Sequence, residues 1–181
     1  MKGLTTVLLL VFAVLVQVAA INRLPLPWGM GPDLVVLAVV AVALGSTPVG
    51  GAVAGFSTGL ALDVLPPADH EIGRYALVLC LGGYLVGRLR DSPRHSRLWP
   101  YLVAFGAAFG VGLGFALVGL VLGDPRVGVA TFLFYVPLYA GMTVLVSPLL
   151  LAPVLKLRRY LSKNEFPDIT DASWVSGGVR L

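Results

Sequence analysis

Charge is what this chain has least of. Asp, Glu, Lys and Arg make up 12% of its 181 residues while 57% are hydrophobic, and an ordinary soluble domain carries about a quarter charged. That balance excludes a water-surrounded fold. Several apolar runs instead approach the roughly 20 residues needed to cross about 30 Å of hydrocarbon. Cysteine is nearly missing as well. Cys80 stands alone in the middle of an apolar run, so no disulfide can close within the chain and no cysteine metal site can form. It reads as a small packed side chain. Histidine is limited to His70 and His95, in loops expected on opposite sides of the membrane.

These scarcities bear on chemistry. Intramembrane catalysis needs a nucleophile with a base, or paired carboxylates. Ser57 and Thr58 have no histidine or lysine at comparable depth, and helical hydroxyls usually bond to their own backbone or to a neighbour. Asp63 has no carboxylate partner in its own span, since Asp69 and Glu71 fall in the following turn. A proton-coupled transporter places several ionisable groups near the midplane, whereas Asp63 is single and off-centre. The chain is therefore expected to be no enzyme and to need no cofactor or metal. Its net charge is +4, but the arginines sit beside apolar spans. That is the positive-inside pattern of membrane proteins rather than a nucleic-acid footprint. The basic loop has no Gly-rich phosphate cradle.

What is present is a series of spans, at about 4–21, 33–47, 49–65, 72–87, 98–122 and 127–155. They make one transmembrane bundle over 1–163, followed by a polar cytoplasmic tail at 164–181, expected to be flexible. Lys2, the apolar run and Val18-Ala19-Ala20 faintly resemble a cleaved signal. The run continues through Ile21, though, and a retained first span is expected. Gln17 is placed to bond a neighbouring helix or interfacial water. The connector 22–32 holds Pro25, Pro27, Pro32, Gly29 and Gly31, too many breakers for a helix, with Trp28 at the interface. Pro32-Asp33 reads as a helix start, because an acid there complements the helix dipole. The second span is short, near 15 residues or roughly 22 Å. It can form a hairpin with the third that stops short of a full crossing.

The stretch 48–90 organises the rest. In the third span Gly51, Gly55 and Gly59 recur every fourth residue on one stripe, where another backbone can approach closely. Phe56 and Leu60 lie beside it as knobs. Asp63, one turn from the helix end, meets an unfavourable dipole and must be compensated. Arg74, across the Pro66-Pro67 turn, is the nearest candidate; a partner contact and ion or proton handling remain open alternatives. The fourth span carries Gly82, Gly83, Tyr84 and Gly87 and ends in Arg88, Arg90, Arg94 and Arg97. The fifth repeats the glycine spacing at Gly106, Gly110 and Gly114. The sixth holds Pro137, Pro148 and Pro153, which suggest kinks or a preceding interfacial segment. It closes on Lys156, Arg158, Arg159 and Lys163. With both ends inside, nine of the thirteen Lys and Arg fall on the cytoplasmic side and only Arg23, Arg74 and Arg126 outside, leaving Arg180 in the tail.

Three motifs in order resemble the family of the rod shape-determining protein MreD. The first is Pro32-Asp33-Leu34. The second is Gly51, Gly55, Phe56, Gly59, Leu60 and Asp63 in the pattern G-x-x-x-G-F-x-x-G-L-x-x-D. The third is Gly83-Tyr84-Leu85 with Gly87-Arg88. The turn Pro66-Pro67-Ala68-Asp69-His70-Glu71 is more acidic than that family's usual Gly/Ser-rich linker. The resemblance implies an all-α, six-helix inner-membrane bundle with N- and C-termini inside. Its architecture would be similar to the substrate-binding subunits of energy-coupling-factor transporters. It further implies a non-enzymatic scaffold of the bacterial elongation complex, supporting cell shape and peptidoglycan synthesis. Such a scaffold associates with MreC, and through it with MreB filaments and RodA with its class B transpeptidase, among membrane lipids and without nucleic acid. The motif residues, with Arg74, would then serve helix packing or partner docking, and the arginines and lysines would set topology. The alternative is a vitamin-type small-molecule binding subunit of a transporter. That needs a polar, aromatic pocket open to the outside, for which the outer loops offer mainly Trp28, His70 and Glu71.

Overall fold

The computed structural model describes residues 2–25, 31–66, 71–91 and 98–163. Among them every regular element is helical: α1 (Lys2–Ala19), α2 (Leu34–Ala43), α3 (Pro48–Val64), α4 (Arg74–Arg88), α5 (Trp99–Leu122) and α6 (Val136–Lys163). One wide turn of π-helix, Thr131–Tyr135, leads into α6. The loop arginines Arg94 and Arg97, the outer-loop residues Trp28, Asp69 and His70, and the tail lie outside the described residues.

α2 is the centre of the molecule. Its sequence LVVLAVVAVA is apolar on every side, so it has no face to give to water. Residues 35–44 are all buried, with α1, α3, α4, α5 and α6 packed around them. Ten residues reach about 15 Å, half the hydrocarbon thickness. α2 is shorter than the span 33–47 expected from sequence. Gly45 and Ser46 close it by bonding back to Val42 and Ala43, and the Ser46 hydroxyl takes the Val42 carbonyl at 2.9 Å. Thr47 then caps α3 through the Gly50 N–H at 3.1 Å, with Pro48 in the first turn, where a missing N–H does no harm.

The outside of the bundle is as apolar as its inside. α1 exposes Leu4, Leu8, Val11, Phe12 and Leu15, and α3 exposes Val49, Val53, Phe56, Leu60 and Val64. Soluble monomers rarely expose contiguous apolar patches beyond a few hundred Å², whereas such a surface suits lipid. Three helices, Gly3–Arg23, Trp99–Leu122 and Thr131–Val154, are long and apolar enough to cross a membrane.

α3 and α4 form the closest helix pair, and glycine is the reason. Gly51 sits on the Gly83 carbonyl and Gly55 on that of Leu79. A Cβ added at Gly59 would lie 2.5 Å from the Ala76 Cα, and one at Gly87 2.7 Å from the Pro48 Cα. The stripe read from the four-residue spacing is thus spent inside the chain, on backbone-to-backbone packing. α5 differs. A Cβ added at Gly114 would lie 3.0 Å from a Val78 methyl, but Gly106 and Gly110 face open space, so equal spacing serves unequal ends.

α6 runs on to Lys163, past the expected limit at 155, and tolerates its prolines locally. The wide turn at Thr131–Tyr135 closes with the Val136 N–H on the Thr131 carbonyl, just before Pro137, which has no N–H of its own. Pro148 takes away the N–H that would have reached the Val144 carbonyl. The Ser147 hydroxyl donates to that carbonyl instead, at 2.6 Å.

Candidate functional site

The polar groups of the bundle gather at one end, where α1, α3 and α5 finish and α2 and α4 begin. A helix starting inside an apolar core has N–H groups with no intrahelical partner, and burying them unmet costs free energy. The start of α2 answers this from three helices. The Asp33 carboxylate accepts from the Val36 N–H at 2.9 Å. Gln17 of α1 accepts from the Leu34 N–H at 2.9 Å and donates to Asn22 and to the Pro32 carbonyl. Thr143 of α6 accepts from the Asp33 N–H at 3.1 Å. The other Asp33 oxygen accepts from two phenols, Tyr139 at 2.7 Å and Tyr75. Asp33 is therefore the helix-start residue that its place after Pro32 suggests, and also a node joining α2, α4 and α6.

Asp63 does the same for α4. Its carboxylate accepts from the backbone N–H groups of Gly73 (2.9 Å), Tyr75 (3.1 Å) and Ala76 (3.0 Å). Gly73, at φ 97°, gives the left-handed turn that aims these donors. An acid at the unfavourable end of α3 is thus placed at the favourable end of α4.

Arg74, expected to neutralise Asp63, has its guanidinium engaged elsewhere. It donates to Asp124 at 2.9 Å, to Glu71 at 3.4 Å, and twice to the Phe115 carbonyl at 3.0 and 3.2 Å. The guanidinium carbon lies 3.9 Å from the Phe115 ring centre, with Gly119 leaving room beneath it. The physical reason is reach: three N–H groups of a neighbouring helix start already satisfy Asp63, and the arginine's planar fork matches the α5 terminus. Arg74 in turn holds the Asp124 carboxyl below its ordinary value of 3.8, helped by the Arg126 N–H.

The remaining expected residues fall into two groups. Gly51, Gly55, Gly59, Gly83 and Gly87 are in the α3–α4 seam, whereas Phe56, Leu60 and Tyr84 face outward at 49%, 37% and 38% exposure. Arg88, Arg90 and Lys156 are exposed at the opposite end from the carboxylates, and Arg158 and Arg159 lie on the last turns of α6. Tyr75, Thr143, Tyr139 and Asp124 were not evident as site residues. The first three sit in apolar runs that read as core, and Asp124 is fifty positions from the arginine it meets.

Every buried polar side chain named here is used by the fold. Gln17, Asp33, Asp63, Arg74 and Thr143 bond as above, Thr58 donates to the Ala54 carbonyl, and Ser147 to that of Val144. Together these bonds fix the relative positions of all six helices at one end of the bundle. No family model, curated protein or solved structure matches the chain.

Proposed function

We propose that the chain is a non-enzymatic membrane scaffold of the MreD type. In this reading it is a six-span inner-membrane bundle with both termini in the cytoplasm. It docks the bitopic partner MreC, and through it supports MreB filaments and the RodA synthase.

One observation carries the reading. Within the segment G-x-x-x-G-F-x-x-G-L-x-x-D, the glycines and Asp63 turn inward and hold α4, while Phe56 and Leu60 turn outward. A helix whose inner face is locked to its neighbour presents a fixed outer face, which is what a docking surface requires. Sidedness supports it too. The exposed Arg88, Arg90 and Lys156 share the end opposite the carboxylates, as the positive-inside rule asks of a cytoplasmic face.

Crosslinking in native membranes, followed by purification through a tag on this chain, tests the proposal. MreC should be recovered with the native chain and lost with Phe56→Ala/Leu60→Ala at unchanged membrane levels. A chain that recovers no MreC, and instead holds a small molecule in its native mass spectrum, would point to a vitamin-type binding subunit.

A further inference from the structure

The two buried carboxylates at this end of the bundle meet different kinds of donor. Asp63 accepts only from backbone N–H groups, Tyr75 on one oxygen and Gly73 and Ala76 on the other. A backbone N–H can only donate, so both Asp63 oxygens are committed as acceptors. Asp33 is divided. One oxygen accepts from the Val36 N–H at 2.9 Å, but the other meets only hydroxyls, Tyr139 at 2.7 Å and Tyr75. The two phenol oxygens are themselves 3.4 Å apart. A hydroxyl both gives and accepts, so each side of this triangle of oxygens can carry a proton.

Charge points the same way. Asp33 is buried, and among the described residues no Lys, Arg or His pairs with it. Around the start of α2 stand the neutral Gln17 of α1, Tyr75 of α4, and Tyr139 and Thr143 of α6. Arg74 of α4 is turned to Asp124 and the Phe115 carbonyl, and Asp63 of α3 to the start of α4. α5 has no charged residue, and Arg23, past the end of α1, is exposed. The start of α2 offers about half a positive charge, which leaves a full buried negative charge short of compensation.

We infer that Asp33, Tyr75 and Tyr139 form a proton-binding site. With two protons on the three oxygens, both phenols donate to the carboxylate, and the Tyr75–Tyr139 contact holds no proton. A third proton, taken from water at this end of the bundle, forms an O–H bond on Asp33 and breaks none in the protein. That O–H donates to Tyr139, Tyr139 donates to Tyr75, and Tyr75 donates to Asp33. Each oxygen then donates once and accepts once, and the buried charge is gone. The Val36 N–H keeps its acceptor throughout, so the proton closes a ring across α2, α4 and α6 without undoing the cap.

Infrared spectroscopy of the full-length protein in lipid membranes at pH 6 tests this. A solvated aspartate titrates at about pH 4 and is ionised there, and only a neutral carboxyl absorbs above the amide band. No partner protein is needed, so the outcome is independent of docking. The native chain should show such a band, shifted by deuteration. Asp33→Asn, whose amide donates and accepts where the neutral acid would, should lose it. Tyr139→Phe removes the acceptor of the third proton and should move the band, a readout that stands if the Asn variant fails to fold. A native chain without the band at pH 6 would overturn the inference. So would a band that survives Asp33→Asn, or one that Tyr139→Phe leaves in place.

Discussion

The Tyr75 hydroxyl donates to the Asp33 carboxylate while the backbone N–H of the same residue donates to Asp63. One residue at the start of α4 thus ties two carboxylates on two other helices. Tyr139, from α6, reaches the same Asp33 oxygen. Tyr75→Phe should lower stability by about 1–2 kcal/mol, seen as a reduced thermal midpoint in detergent. Adding Tyr139→Phe should lose more than the sum of the two single variants, since the second removal strips that oxygen of both phenol donors.

Asp63→Ala leaves three N–H groups at the buried start of α4 without their acceptor. A loss of about 2–3 kcal/mol is expected, again in the thermal midpoint. Asp63→Asn should recover part of it, because its amide oxygen still accepts. Were the acid paired with a cation alone, Asn would behave like Ala.

Gly55 and Gly110 share a spacing pattern but not an environment. A side chain at Gly55 strikes the Leu79 carbonyl, and one at Gly110 meets nothing. Gly55→Leu should destabilise by about 3 kcal/mol, the upper end of the usual cost of overpacking, because the obstacle is backbone. Gly110→Ala should be neutral or stabilising by up to about 1 kcal/mol, the helix propensity difference. Side-by-side melting of the two variants checks this.

The Arg74–Asp124 pair sets a pH dependence. Because folding lowers the Asp124 carboxyl below 3.8, the native contact contributes its full stability above that value. The contribution is lost as pH falls through the lowered value. The native chain should therefore melt higher than Asp124→Asn at pH 7, and the difference should shrink below about pH 4. A gap that stays constant to pH 2.5 would show that the pair does not titrate with folding.

How much of this was legible in the sequence depends on what each residue answers to. The Gly51–Gly55–Gly59 stripe was readable because helix geometry alone puts residues four apart on one face. Asp33 was readable from its place after Pro32. The need to compensate Asp63 was readable, but its compensator was not, because a sequence displays charged side chains and hides orphan backbone N–H groups. Arg74 was the visible cation; the donors used were the N–H groups of the helix it begins. The buried, central place of α2 was only half visible. Its all-apolar run fits lipid or core equally, and the five surrounding helices decide it. The same holds for Tyr139 and Thr143, which become polar nodes only once α6 is laid against the start of α2.

The central claim is that the outward face of α3 docks a partner, and photo-crosslinking from single positions tests it most directly. A photoreactive residue replacing Phe56 or Leu60 should capture MreC in living membranes, while one replacing Val11 on the outer face of α1 should capture only lipid. Capture of MreC from Val11 and not from Phe56 or Leu60, or from none of the three, would contradict the account.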